Sequence, residues 1–151
     1  MRVCLGGTFN RFHKGHRLLI DTAVDNAGKT GFVFIGISDG PLVKNKPEIA
    51  SFEIRRDEVL SFLKGKKQDL PTIVVEPIET VEGPTLTMDF DAIVVSKETK
   101  QVAENINEKR KNKGLKELKI ITIPMILAND DKKISSTRII DLEIDREGNI
   151  L

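Results

Sequence analysis

The chain has 151 residues, with 24 Lys and Arg against 23 Asp and Glu, a formal net charge of +1 and one cysteine. That length suits a single domain with a sizeable core and is short for two. The near-neutral balance excludes a global field for a nucleic acid or a membrane surface, so an anionic ligand has to be held locally. One cysteine excludes a disulfide framework.

In chain order, residues 2–5 form a short apolar run ended by Gly6-Gly7, a buried strand feeding a tight turn, with Cys4 inside it as a small hydrophobe. From His16 the apolar positions Leu18, Leu19, Ala23, Val24 and Ala27 recur at helical spacing, and Gly28 supplies the C-cap. The continuous apolar run 32–37 predicts a strand covered on both faces. Ser38-Asp39-Gly40-Pro41 breaks regular structure, and Lys44-Asn45-Lys46-Pro47 lies in the same loop. Ser51 caps a helix whose stripe is Ile54, Val59, Leu60, Phe62 and Leu63. Strands are predicted over 72–75, 92–95 and 120–123, with 76–91 mostly loop, a helix over 101–112 and a last short helix from Ser135-Ser136-Thr137 to about Leu142. Five strands alternating with helices predict one α/β domain over 1–151, a doubly wound parallel sheet with right-handed crossovers. Ligands of such sheets bind beyond the carboxyl ends of the strands.

That is where the most informative stretch falls, Gly6-Gly7-Thr8-Phe9 followed by His13-Lys14-Gly15-His16. Glycines after a strand let backbone N–H groups approach an anion, and the start of a helix adds the positive end of its dipole. His13 and His16 are the only histidines in the chain. An imidazole there can donate a hydrogen bond to a phosphoryl oxygen as charge builds on it. No Cys or acidic cluster joins them at metal-ligand spacing, so no dedicated protein metal site is predicted. Near the other end, the three hydroxyls of Ser135, Ser136 and Thr137 at a helix start make an N-cap that is also an anion site, and Arg138 adds a fixed charge. The chain opens directly on a strand-like run and contains no 18-residue apolar stretch, which predicts a soluble cytoplasmic protein without membrane or nucleic-acid partners.

The front box resembles the signature of the nucleotidyltransferase superfamily, whose members attack the α-phosphorus of a nucleoside triphosphate on a Rossmann-like fold. Ile134-Ser135-Ser136-Thr137-Arg138-Ile139 is similar to that superfamily's Ile-Ser-Ser-Thr triphosphate box. Val95-Ser96-Lys97-Glu98-Thr99, with Ile106-Asn107 and Arg110 on the following helix, resembles phosphopantetheine adenylyltransferases of the archaeal and eukaryotic type, where this segment replaces a bacterial Gly-Leu-Arg box. The resemblance implies that His16 acts in the transition state and that His13 contacts the triphosphate. Gly7, Thr8, Phe9 and Gly15 would border ATP, with Thr8 also reaching the attacking phosphate. Ser135, Ser136, Thr137 and Arg138 would hold the β- and γ-phosphates. It places a phosphate-clamping lysine at Lys44 or Lys46, of which Lys44 is favoured, and sets Ser96, Glu98, Thr99, Asn107 and Arg110 beside the nucleotide and pantetheine sites. Asn10 stands where relatives often have aspartate, and Lys97 where glutamate is usual.

The implied reaction moves AMP from ATP, with Mg²⁺, to 4′-phosphopantetheine, giving dephospho-coenzyme A and pyrophosphate. Dephospho-coenzyme A and coenzyme A would be product-site ligands. The alternatives are another adenylyl- or cytidylyltransferase, with nicotinamide mononucleotide, FMN or a polyol phosphate as acceptor, and a non-catalytic nucleotide-binding sensor.

Overall fold

Apolar runs and helical stripes alternate along the chain, and the computed structural model, which describes residues 1–151, builds five strands and four helices from them. In order these are β1 (Arg2–Gly7), α1 (Lys14–Ala27), β2 (Phe32–Ser38), α2 (Phe52–Lys64), β3 (Thr72–Ile78), β4 (Ala92–Val95), α3 (Lys100–Asn112), β5 (Lys119–Thr122) and α4 (Ser136–Ile140), with 3-10 turns at Gly40–Leu42 and Gly83–Leu86. All strand pairs are parallel, and the sheet order is β3-β2-β1-β4-β5. The sheet is therefore the predicted doubly wound one. Its order reverses between β1 and β4, which opens a crevice at their carboxyl ends.

Alternation along the strands divides the interior into two layers. Val3, Leu5, Val33, Ile35, Ile37, Ala92 and Val94 pack against Ile20, Ala23 and Val24 of α1 and Val59 and Leu63 of α2. Their neighbours Cys4, Phe34, Ile93 and Val95 face the other way, onto Ala103 and Ile106 of α3. A two-residue period in strands buried on both faces produces this split. Cys4 is buried as expected, and burial pushes its thiol up to about 12. A third, small cluster of Ala128, Ile134 and Ile144 organises the segment around α4.

Several details depart from the sequence reading. α1 begins at Lys14 rather than at His16, because His13 is its N-cap. β3 runs on to Ile78 through Pro77, and it can do so because it is an edge strand, where a missing N–H is tolerated. On α2 the stripe is shifted: Ile54 is exposed and Arg55 takes the inner position in line with Val59 and Leu63.

Candidate active site

The loop after β1 ends in a reciprocal cap made by the two histidines. His13 Nδ1 accepts the Gly15 N–H at 3.0 Å, and His16 Nδ1 accepts the His13 N–H at 3.1 Å. A ring nitrogen that accepts carries no proton, so each neutral imidazole holds its proton on Nε2. Neither Nε2 is bonded within the protein, which leaves two parallel N–H donors at the head of α1, on rings stacked 3.7 Å apart. Burial lowers His13 to about 4, with Lys133, Arg17 and Arg146 adding to the effect. Burial also holds His16 well below the usual histidine range, followed by the charges of His13, Arg146 and Lys133. Both are neutral donors at pH 7. Phe9 and Phe12 fix the His16 ring from centroid distances of 5.3 and 5.6 Å. Gly15 is required for close approach, since a Cβ there would sit 2.9 Å from His13 Cε1.

Lys46, not Lys44, is the lysine brought to this loop. Its Nζ donates to Thr8 Oγ1 at 2.9 Å, whereas Lys44 is exposed and bonds to nothing. The 3-10 turn at Gly40–Leu42 and the turn after it carry Lys44 outward and Lys46 back over Thr8, so of the two expected lysines Lys46 is the one that lies against the front loop. Asn10 explains itself locally. Its Nδ2 donates to Glu48 O at 3.3 Å and its Oδ1 accepts the Ala50 N–H at 3.1 Å, a pairing an aspartate could make only half of.

The α4 box meets the same loop. Ser135 Oγ caps the helix by accepting the Arg138 N–H, the Ser136 hydroxyl donates to Asn10 O, and Thr137 is exposed. A polar cavity of about 580 Å³ lies between them, bordered by Thr8, Asn10, Lys46, Ser136 and Thr137. Arg138 does not turn toward it. Its guanidinium is ion-paired to Asp130 and Glu143 and bonded to the carbonyls of Lys132 and Lys133, which braces the turn before α4.

On the other side of Thr8 and Lys46 a second cavity, about 330 Å³ and mostly apolar, descends along β1 past Gly6 to Cys4, Phe34 and Ile93. Gly83, Thr85 and Ile78 border it, and Thr99 and Ile106 line its α3 side. Of the segment after β4, Thr99 reaches this cavity, while Ser96 and Thr99 share a hydroxyl contact at 3.2 Å and Glu98 is paired with Lys133. Lys97 is exposed. Asn107 and Arg110, expected beside the nucleotide and pantetheine sites, make hydrogen bonds to backbone. Asn107 exchanges two hydrogen bonds with the Leu118 backbone, tying α3 to β5. Arg110 is buried and donates to the carbonyls of Thr85, Met88 and Lys116, holding the cavity's cover. Two cavities of opposite character thus share Thr8 and Lys46.

Fold and site together define a nucleotidyltransferase: the chain belongs to the cytidylyltransferase-like family, whose model matches residues 4–142. Its relatives narrow the family to phosphopantetheine adenylyltransferases. It is 44% identical over 151 residues to the phosphopantetheine adenylyltransferase of Methanothermobacter thermautotrophicus, covering 99% of this chain and 88% of that one. It is 39% identical over 149 residues to that of Methanosarcina mazei, covering 99% and 96%. A crystal structure of a protein with unknown function from Archaeoglobus fulgidus superposes with a TM-score of 0.71 at 35% identity, over 82% of this chain and 89% of that one. A pantoate-beta-alanine ligase from Francisella tularensis, 16% identical with a TM-score of 0.57, over 89% of this chain and 63% of that one, shares the fold alone.

Beyond Arg17, which also acts on His13, sequence reasoning missed three cations at this site. Lys133 and Arg146 add positive potential around the histidines, and Arg146 O also accepts the Lys14 N–H at the start of α1. The Lys132-Lys133 pair just before Ile134 was the available signal for the first; nothing local marks Arg146, which arrives from the chain's other end. Arg55 is the third, and its signal was its position on the inner stripe of α2.

Proposed function

We propose that this protein transfers AMP from ATP to the phosphate of 4′-phosphopantetheine, releasing pyrophosphate and forming dephospho-coenzyme A. The observation that carries the reading is the junction at Thr8 and Lys46, where the polar cavity beside α4 meets the apolar one along β1, with the two histidine donors at the head of α1. The triphosphate occupies the polar cavity, with its β- and γ-phosphates over Ser136 and Thr137. The acceptor's arm lies in the apolar cavity, and its phosphate meets the α-phosphorus at the junction.

A phosphate monoester is already an anionic nucleophile, so the step needs no general base. Its oxygen attacks the α-phosphorus as the bond to the bridging oxygen of pyrophosphate breaks. Catalysis then consists of alignment and of donors aimed at developing charge. His16 Nε2–H donates to an α-phosphoryl oxygen, His13 Nε2–H holds the triphosphate, and Lys46 binds the phosphates on both sides of the reacting bond. Mg²⁺ enters as the MgATP substrate, held mainly by the triphosphate and water.

Pyrophosphate release from ATP and Mg²⁺ with a panel of acceptors tests the reading. 4′-Phosphopantetheine should be used far better than nicotinamide mononucleotide, FMN or glycerol phosphate. Equal turnover of any of these would remove the acceptor assignment and leave the phosphoryl chemistry standing.

A further inference from the structure

Two arginines are buried without a carboxylate in ion-pair contact, Arg55 on the α2 side of the sheet and Arg110 on the α3 side, each 1% exposed. Arg110 holds the cover of the apolar cavity. Arg55 lies under the junction. Its Nε donates to Ala50 O at 2.9 Å, and its Nη1 donates to Thr8 O at 3.0 Å and Ser38 O at 2.6 Å. These carbonyls belong to the loop after β1, the end of β2 and the end of the lysine loop, the three segments that meet beside Lys46.

The backbone held in this way is strained. Phe9, Arg11 and Glu48 all have positive φ, at 53°, 50° and 54°, and none is glycine. Such conformations persist only where surrounding contacts over-determine them. Here the contacts are those of Arg55 and Asn10, which grip Ala50 at its two backbone groups, Arg55 donating to its carbonyl and Asn10 accepting from its N–H.

Carbonyl dipoles take the Nε and Nη1 donors of the guanidinium but do not cancel its charge. Burial is the largest influence on Arg55 and disfavours its charged form, with Asp39 and Glu53 offsetting it from a distance. A guanidinium is nevertheless too basic to lose its proton. The interior beneath Thr8 therefore carries a net positive charge that the protein leaves unpaired, and the group immediately above it is a hydroxyl bonded to Lys46.

We infer that Arg55 is a positioning residue of the phosphate site. Its guanidinium locks Thr8, Ser38 and Ala50 so that the Thr8 hydroxyl and Lys46 face the reacting phosphates, and those phosphates supply its missing counter-charge. The inference rests on the reading of the Thr8–Lys46 junction as a phosphate site. Arg55 then contributes in two separable ways, through charge to affinity and through its three-way fork to alignment.

Arg55→Lys and Arg55→Met separate the two, with pyrophosphate affinity measured by calorimetric titration and kcat by pyrophosphate release. Arg55→Lys keeps the charge and loses the fork. Its pyrophosphate Kd should stay within about threefold of the parent while kcat falls at least about tenfold. Arg55→Met loses both, and its pyrophosphate Kd should weaken by at least about tenfold as well. A merely structural arginine would lower the melting temperature of both variants and leave Kd and kcat of the folded protein at parental values, which overturns the inference. If Arg55→Met does not fold, Arg55→Lys decides: a kcat within about threefold of the parent, or equal losses in Kd and kcat, overturns it. A parent that fails to bind pyrophosphate overturns the phosphate site and the inference with it. A parent that binds, beside an Arg55→Met that binds equally well, overturns the inference alone.

Discussion

Removing the imidazole of His16 should lower kcat and kcat/KM together, because an Nε2–H aimed at developing charge matters most in the transition state. The expected loss is about 10² to 10³, the range for one preorganised oxyanion donor. His16→Ala also removes the acceptor that caps the His13 N–H, so its melting curve belongs beside its kinetics. A folded variant with kcat within twofold of the parent would sink the transition-state role. Because burial keeps His13 at about 4 and His16 well below its usual value, neither histidine should shape kcat/KM between pH 6 and 8. Their effect on stability has a definite sign. The unfolded chain takes up a proton near 6.5 that the folded His13 refuses until about 4, so the contribution is complete above about 6.5 and is lost as pH falls through 4. Chemical denaturation across that window should show midpoints falling with acid, more steeply in the parent than in His13→Asn. Ser136→Ala should weaken ATP binding by about 1–2 kcal/mol, and part of that loss comes from releasing Asn10 rather than from the phosphate.

At the scale of elements, the head of α1 depends on Gly15. Alanine is the better helix former, so Gly15→Ala should keep or raise helicity by far-UV dichroism. Its Cβ would nevertheless meet His13 at 2.9 Å and turn the ring out of the cap, so kcat/KM should fall at least about tenfold. Preserved activity with preserved helicity would show that the His13 cap is not needed for catalysis. On the neighbouring strand, Gly36 lies under Ile78, where a Cβ would come within 2.8 Å of Cγ2. Gly36→Ala should push Ile78 toward the apolar cavity and raise KM for the acceptor while leaving KM for ATP unchanged, as steady-state kinetics would show.

For the molecule as a whole, two cavities share one pair of residues, so ligands of either cavity should respond to the same lysine. Lys46→Ala should raise KM for both ATP and acceptor by about tenfold, and Lys44→Ala should change neither by more than about twofold. Ligand binding to the folded state should also stabilise the whole protein. At one hundred times its Kd, pyrophosphate adds about 2.7 kcal/mol and should raise Tm by about 5–10 °C in a chain of this size. A Lys46→Ala protein that keeps the full shift would remove the lysine from the phosphate site.

Local pattern was enough for much of this. Apolar runs bounded by glycine and polar breaks mark five strands, helical spacing marks the long helices, and both motif boxes are contiguous stretches of neighbouring residues such as His13 and His16. What local pattern could not settle depends on partners far along the chain. The order β3-β2-β1-β4-β5 follows from which strands share a buried face. Lys46 rather than Lys44 reaches the site because of how its loop closes on Thr8, 38 residues earlier. Arg110 and Arg138 look like ligands for anions in the sequence, and tertiary contacts occupy them with carbonyls and carboxylates. Arg55 reads as an ordinary charged residue beside an apolar Ile54, yet it is the arginine that turns inward. Its three acceptors come from separate segments, and only folding places their carbonyls within reach of one guanidinium. Periodicity reports which face of an element is apolar, whereas the occupant of a buried polar position is decided by the hydrogen-bond partners that folding assembles there.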